Sequence, residues 1–400
     1  MRDYLMYNYV FFFIVLSAVI FIYSKVKAFR FLDEHGASRD SNLDGLRAFL
    51  AMFVFYHHLM LNYHIIATGK GPYTESTFFN NLGSIGVSIF FMITGYLFWG
   101  KIRNSNEINW LSLFSSRLFR IGPLYLFLMA AYCSLVLFKI DFVITYANLE
   151  NFKSQLSTLF FLGMDSPSYA FMNRSEFLRG IGQTWTLFYE WLFYFSLPIL
   201  SLITLKKGIT ATLVCSFVFL CLINNEINGY FFTKLFLLGM VSYEFKQLKN
   251  ISFEGNKTLT SLITLSLIFM SMYFSNGEHV YNNSSAVCLG LAFLLIVRGC
   301  NVFGILNSTG ATRIGSMSYS IYMTHGMILS NLFYTDFFKR LIDRSELYMW
   351  LYTAIAFIIC LSISMLTYQF VERKGIEMGK IFHQIINNKS LSKPEEIKAP

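Results

Sequence analysis

The sequence predicts an all-α polytopic membrane protein of about eleven transmembrane helices. Three observations carry that expectation. The 400 residues are 55% hydrophobic and only 14% charged, whereas a soluble domain carries about 25% charged residues. Apolar runs of the length needed to cross about 30 Å of hydrocarbon, roughly 20 helical residues, recur along the chain. Most basic residues stand between these runs and not inside them.

The runs fall near 9–29, 46–66, 83–100, 121–138, 185–205, 208–223, 228–245, 258–275, 284–304, 314–335 and 346–371. The first is too long for the apolar core of a signal peptide and has no small-residue cleavage site behind it, so it reads as an uncleaved anchor. The expected layout is an anchor helix and basic linker over 1–40, a transmembrane domain over 41–375, and a cytoplasmic tail over 376–400. Lys25, Lys27 and Arg30 stand at or after the end of the first run and only Arg2 precedes it. That asymmetry predicts an outside N-terminus. Alternating sides from there leaves 21 basic residues in the cytoplasmic segments and 9 in the outer ones. This is the positive-inside bias, with the C-terminus cytoplasmic. The cluster of Lys339, Arg340 and Arg344 is the one local exception.

The same bias accounts for the net charge of +9. No basic tract is interleaved with aromatics, so membrane lipids are expected partners and nucleic acid is not. The longest connection, from Lys139 to Gln183, is expected outside. Its apolar stretch at 156–164 is too short to span and reads as a re-entrant or interfacial helix beside an acceptor site. The six cysteines lie mostly in apolar runs without a CxxC pair, and read as packing residues. The seven histidines show neither H-x3-H nor HExxH spacing, so no metal site is expected.

Ionisable groups inside apolar helices are costly and point to function. The second run opens with Asp44-Gly45-Leu46-Arg47 and continues to His57-His58. Arg47 and His58 are eleven residues apart, which on a helix puts them about 20° apart around the axis and about 16 Å apart along it. They share one face at two depths. Arg47, near the cytoplasmic boundary, suits an anionic, phosphate-bearing ligand; His58, deeper, suits proton transfer or covalent relay. His57 lies about 80° away and is the weaker partner. Arg117 and Arg120, spaced i, i+3, share a face on the same predicted side as Arg47. Glu190 is a carboxylate about five residues into an apolar helix, near Trp185, Tyr189 and Trp191. Three roles stay open for it: orienting His58, pairing with an arginine, or holding a sugar hydroxyl. Lys234 and Arg298 read as snorkelling or structural.

Several segments in order carry a family resemblance. Arg47 followed by ten residues and His58 resembles the R-x10-H signature of acyltransferase family 3. The segment Gly86-Val87-Ser88-Ile89-Phe90-Phe91-Met92-Ile93-Thr94-Gly95-Tyr96-Leu97 resembles that family's GVxxFFxxSG(F/Y)L helix, with Thr94 in place of the usual serine. Arg117 to Tyr125 resembles R-x-x-R-I-x-P-x-Y. Trp185-Thr186-Leu187 with Glu190, Phe193, Tyr194 and Pro198 resembles its W(S/T)LxxExxFY…P helix. Ser318 to His325 resembles SYxxYxxH, and Val371-Glu372-Arg373 resembles the closing segment. The matches run from about Asn42 to Lys374. The first helix is a departure, since members have about ten.

The resemblance implies a bacterial inner-membrane O-acetyltransferase with acetyl-CoA as donor. It implies a lipid-linked or surface polysaccharide, O-antigen-like, as acceptor. His58 then carries the chemistry with Arg47 and Glu190. Arg117, Arg120 and Arg47 hold the donor, while Trp185, Tyr194 and His325 contact the acceptor. A flippase for a lipid-linked sugar is the rival reading, although no internal repeat or pair of broken helices supports it.

Overall fold

A computed structural model describes residues 2–33, 40–71, 73–105, 108–139, 141–143, 161–164, 181–204, 231–248, 256–275, 277, 279–342 and 346–391. All regular structure among them is helical. In chain order the helices are α1 (Arg2–Lys25), α2 (Ser41–Thr68), α3 (Thr77–Asn104), α4 (Trp110–Lys139), α5 (Trp185–Thr204), α6 (Phe231–Gln247), α7 (Lys257–Tyr273), α8 (Asn283–Val297), α9 (Thr309–Ser316), α10 (Ser318–Phe333), α11 (Asp336–Ile342), α12 (Glu346–Thr367) and α13 (Arg373–Leu391). A π-helical turn, Tyr368–Glu372, joins the last two.

Local chemistry fixes the ends. Asp40 caps α2 by accepting from the Asn42 amide at 3.1 Å, and Gly69 closes it in the left-handed conformation at φ 69°. Ser76, Asn256, Asn282 and Ser308 cap α3, α7, α8 and α9 through their side chains. The expected run at 9–29 is not one straight helix. It breaks after Lys25 into a 3-10 turn, Lys27–Asp33, and the chain bends by 85°. The expected run at 314–335 is divided at Met317 between α9 and α10.

By length and composition, four segments among the described residues can cross a membrane: Ser41–Thr68, Thr77–Asn104, Trp110–Leu135 and the continuous Tyr348–Ile386. Tyr9–Lys25 with the bent turn after it makes a fifth. Among the described residues the expected eleven is not reached. The apolar α7 and α8 have only 17 and 15 residues, and the run at 208–223 lies outside the described residues. So does nearly all of the connection expected to flank an acceptor site.

Without a hydrophobic force between helices in lipid, close backbone approach through small residues holds them together. At the crossing of α3 and α6, a Cβ on Gly95 would lie 2.1 Å from the Phe236 carbonyl oxygen, and one on Gly239 would lie 2.0 Å from that of Met92. Only two glycines allow this contact. It sets α3 as the central helix, with Phe91 and Phe236 buried beside the crossing at 4.7 Å between ring centres.

The first helix is built into this core. Arg313 on α9 grips both carboxylate oxygens of Asp33, at 2.7 and 2.6 Å, and donates to the Tyr23 carbonyl at 2.6 Å. It therefore caps the C-terminal end of α1 while pairing with the turn after it. Arg298 similarly donates to the Phe245 and Leu248 carbonyls at the end of α6. Lys234, buried in α6, donates to Asn283 at 3.0 Å. Both are structural. Cys133, Cys288, Cys300 and Cys360 are free thiols; Cys215 and Cys221 lie outside the described residues.

Gly239→Val forces a side chain into the Met92 backbone and is expected to cost at least about 2 kcal/mol. Thermal unfolding in detergent, followed by size exclusion, should show a lower midpoint. Gly290→Ala is the comparison. The atoms nearest its Cβ would belong to the flexible Leu238 side chain, at 3.1 Å, and the midpoint should move far less.

Candidate active site

Helices α2, α3, α4, α5, α6 and α10 enclose a cavity of about 900 Å³. Five cations stand on its wall: Arg47, Lys101, Arg117, Arg120 and Lys246. Three carboxylates, Asp40, Asp44 and Glu190, accompany them. The surplus of positive charge makes it a site for an anion, and the volume lies within the range for ligands of cofactor size. Its mouth lies among helix ends. Lys246, in the last turn of α6, approaches the α2 cap Asp40 at 3.6 Å and donates to the Tyr96 hydroxyl at 3.0 Å. Lys101, in the last turn of α3, and Arg117 both lie over the Phe98 ring, at 5.5 and 4.9 Å from its centre.

Arg47 is held by the carboxylate one turn before it, Nη1 donating to Asp44 Oδ1 at 2.8 Å. Glu190 accepts from the Tyr194 hydroxyl at 2.8 Å. It also feels the charges of Arg117, Arg120 and Arg47. One carboxylate thus offsets part of the guanidinium repulsion. A second, Glu372, sits fully buried on the π turn. Its Oε1 lies 3.9 Å from Arg120 Nη2, and its Oε2 accepts from Ser320 at 2.8 Å. Burial is tolerated because the charge is opposed and hydrogen-bonded.

The histidines form a second cluster. His58 Nδ1 lies 3.0 Å from the Val54 carbonyl and 3.3 Å from His325 Nε2. His325 Nδ1 lies 2.6 Å from the Tyr322 carbonyl. Carbonyl oxygens only accept, so both Nδ1 atoms carry a proton. His325 Nε2 is then a lone pair that accepts, with Val54, from His58 Nδ1. That tautomer leaves the lone pair of His58 on Nε2, available to a reacting group. His57 Nδ1 is engaged by the Phe79 carbonyl at 2.9 Å and its ring presses on Gly83. No group of three or more histidine, cysteine, aspartate or glutamate side chains among the described residues is placed to hold a metal ion.

Among known protein families, the acyltransferase family 3 model, an acyltransferase domain, matches residues 40–369. The chain belongs to this acyltransferase family. Neither the comparison with curated proteins nor that with solved structures returned a match. Family and apolar helices together make the protein a multi-pass membrane acyltransferase, with α1 and the turn behind it ahead of the matched region.

The residues singled out from the acyltransferase sequence separate into three places. Arg47, Arg117, Arg120, Glu190 and Tyr194 converge on the cavity. His58 and His325 are paired beyond its inner end. Trp185 is in neither; it packs with Phe232 at 5.0 Å and Tyr189 at 5.8 Å between ring centres. Of the three roles open for Glu190, the geometry has it beside the arginines, while His58 has Val54 and His325 as partners. Sequence reasoning did not single out Lys101 and Lys246, counted only among boundary charges, nor the pairing of His58 with His325. The motif element ending in His325 was the available signal for the latter.

Glu190→Ala removes the shared counter-charge of the arginines. The thermal midpoint should fall, and millimolar pyrophosphate should raise it more in the variant than in the wild type. Differential scanning fluorimetry with and without pyrophosphate checks both.

Proposed function

We propose that this membrane acyltransferase moves an acyl group, acetyl being the simplest, from cytoplasmic coenzyme A thioester to a hydroxyl of a sugar. The acceptor class is a lipid-linked or surface polysaccharide of the O-antigen type, at the bacterial inner membrane. The observation that carries the reading is a single helix, α2, with Arg47 in the wall of a basic cavity and the Nε2 lone pair of His58 eleven residues on. Supporting it, the cavity mouth lies at the helix ends that the basic-residue bias assigns to the cytoplasm, where the donor is made.

The phosphates of the donor bind Arg47, Arg117, Arg120, Lys101 and Lys246, with charge-assisted hydrogen bonds doing most of the holding. The thioester end points inward. His58 Nε2 removes the proton of the sugar hydroxyl as its oxygen attacks the thioester carbonyl. The C–S bond breaks, the ester C–O bond forms, and the thiolate leaves with the proton returned from His58. The same lone pair can attack first, giving an acyl-imidazole that the hydroxyl then resolves. Acid quench separates the two routes: only the second leaves a hydroxylamine-labile acyl group on the protein. In either route His325 stabilises the charge that develops on His58 through the Nδ1 proton between them.

Mass spectrometry of surface polysaccharide, in cells with and without the protein, tests the reading. An O-acyl mass that appears with wild type and is lost in His58→Ala at equal membrane abundance is the expected result. Unmodified sugar in a strain that supplies the acceptor overturns it. In kinetic terms, His58→Ala should lower kcat by about 10²–10⁴-fold. Arg47→Ala should raise the donor KM by about tenfold or more, with a smaller change in kcat.

A further inference from the structure

The cavity ends before it reaches His58. Its inner wall is made by Phe90 of α3 and Tyr322 of α10, with Thr186 of α5 beside them, and neither His58 nor His325 lines it. Four rings follow one another across this boundary. The Phe90 ring meets Tyr322 edge-on with centres 6.1 Å apart, Tyr322 is 5.8 Å from His325, and His325 is 4.9 Å from His58. An acyl group carried in by a donor held on the basic wall arrives at Phe90 and Tyr322.

The two rings are not held alike. The Tyr322 hydroxyl donates to the Gln183 carbonyl at 3.1 Å and bonds the Thr186 hydroxyl at 2.9 Å, while Thr186 reaches the same carbonyl at 3.2 Å. Both hydroxyl protons are consumed inside this triangle, so neither is offered to a substrate. Gln183 is itself tied down, its amide donating to the Met323 carbonyl at 2.7 Å. All three residues are buried. Tyr322 is a fixed wall. Phe90 has only apolar contacts to hold its ring. It is half-buried, and it packs against both hydrophobic clusters of the protein, the one around the cavity and the one around the α2 and α10 cores. It stands at the seam between the donor cavity and the histidines.

We propose that Phe90, braced by the fixed Tyr322, selects the donor by acyl size, admitting short acyl-CoA thioesters to His58 and excluding longer ones. This inference rests on the acyl-transfer reading above. The ring fills the space into which additional methylenes of a longer acyl chain would extend. A hydrophobic contact discriminates by about tenfold or more for each methylene gained or lost. Replacing the ring by a small side chain opens that space without touching the cations that hold the phosphates.

The test uses membrane vesicles containing the full-length protein and its lipid-linked glycan, given radiolabelled acetyl-, butyryl- or hexanoyl-CoA, with label counted in the glycan fraction. The wild type should favour acetyl. Phe90→Ala should raise the hexanoyl-to-acetyl ratio at least about tenfold, and Phe90→Leu should raise it by less. Leu97→Ala, also in the cavity wall but about two turns nearer the mouth on the same helix, should leave the ratio as in wild type. An unchanged ratio in both Phe90 variants, or an equal shift in Leu97→Ala, overturns the assignment. Wild-type vesicles that transfer no label from any thioester overturn acyl transfer itself, and the role of Phe90 with it.

Discussion

Arg47 and His58 stand eleven residues apart on one unbroken helix, and the functional architecture depends on that fixed separation. An α-helix of 28 residues offers no slack: the two Cα positions are held about 16 Å apart along the axis. What surrounds α2 serves the two ends differently. At one end α3, α4, α5 and α6 bring cations and a carboxylate around an anion-sized space. At the other, α10 brings a single histidine to fix a tautomer. The glycine contacts that let α3 and α6 touch backbone to backbone keep this arrangement compact, since a wider crossing would move Phe91 and Phe98 away from the cavity they help enclose.

Charges in an apolar interior demand partners, and here the partners arrange the site. Arg47 has Asp44, Arg103 has Glu244 at 2.8 Å, and Arg120 faces Glu372. Glu190 serves several guanidinium groups through one carboxylate and one tyrosine. The cavity therefore keeps a positive surplus that an incoming anion can complete, while Arg47, Arg120 and Lys246 already face carboxylates before the anion arrives. Preorganisation of this kind lowers the cost of binding because little side-chain freedom remains to be lost. The π turn carries Glu372, which sits between Arg120 of α4 and Ser320 of α10.

Much of this was legible in the sequence, and the misses have physical causes. The shared face of Arg47 and His58 follows from helical periodicity alone. The nearness of Arg117 and Arg120 to Arg47 followed from which side of the membrane each was assigned to. Lys101 and Lys246 look the same in sequence as any boundary lysine; only the approach of the α3 and α6 ends makes them cavity cations. The contact between His58 and His325 joins positions 267 residues apart, and periodicity says nothing about which helices pack together. Hydropathy located the first apolar run but not its 85° break, which is set by Arg313 reaching back to Asp33 and the Tyr23 carbonyl. Nor did it resolve the division at Met317, which separates α9, seated on α1 through Gly310 and Arg313, from α10.

We propose that the donor is taken up at the basic mouth and that its acyl group is delivered to His58 on the far side of the Phe90 and Tyr322 wall. The most direct measurement is sided transfer in sealed proteoliposomes of known protein orientation, with radiolabelled acetyl-CoA outside and an oligosaccharide acceptor trapped inside. Labelled oligosaccharide is expected in the lumen only from molecules whose Lys246 end faces the external thioester. Equal labelling from molecules of the opposite orientation, or label only on acceptor added to the same side as the thioester, would contradict it.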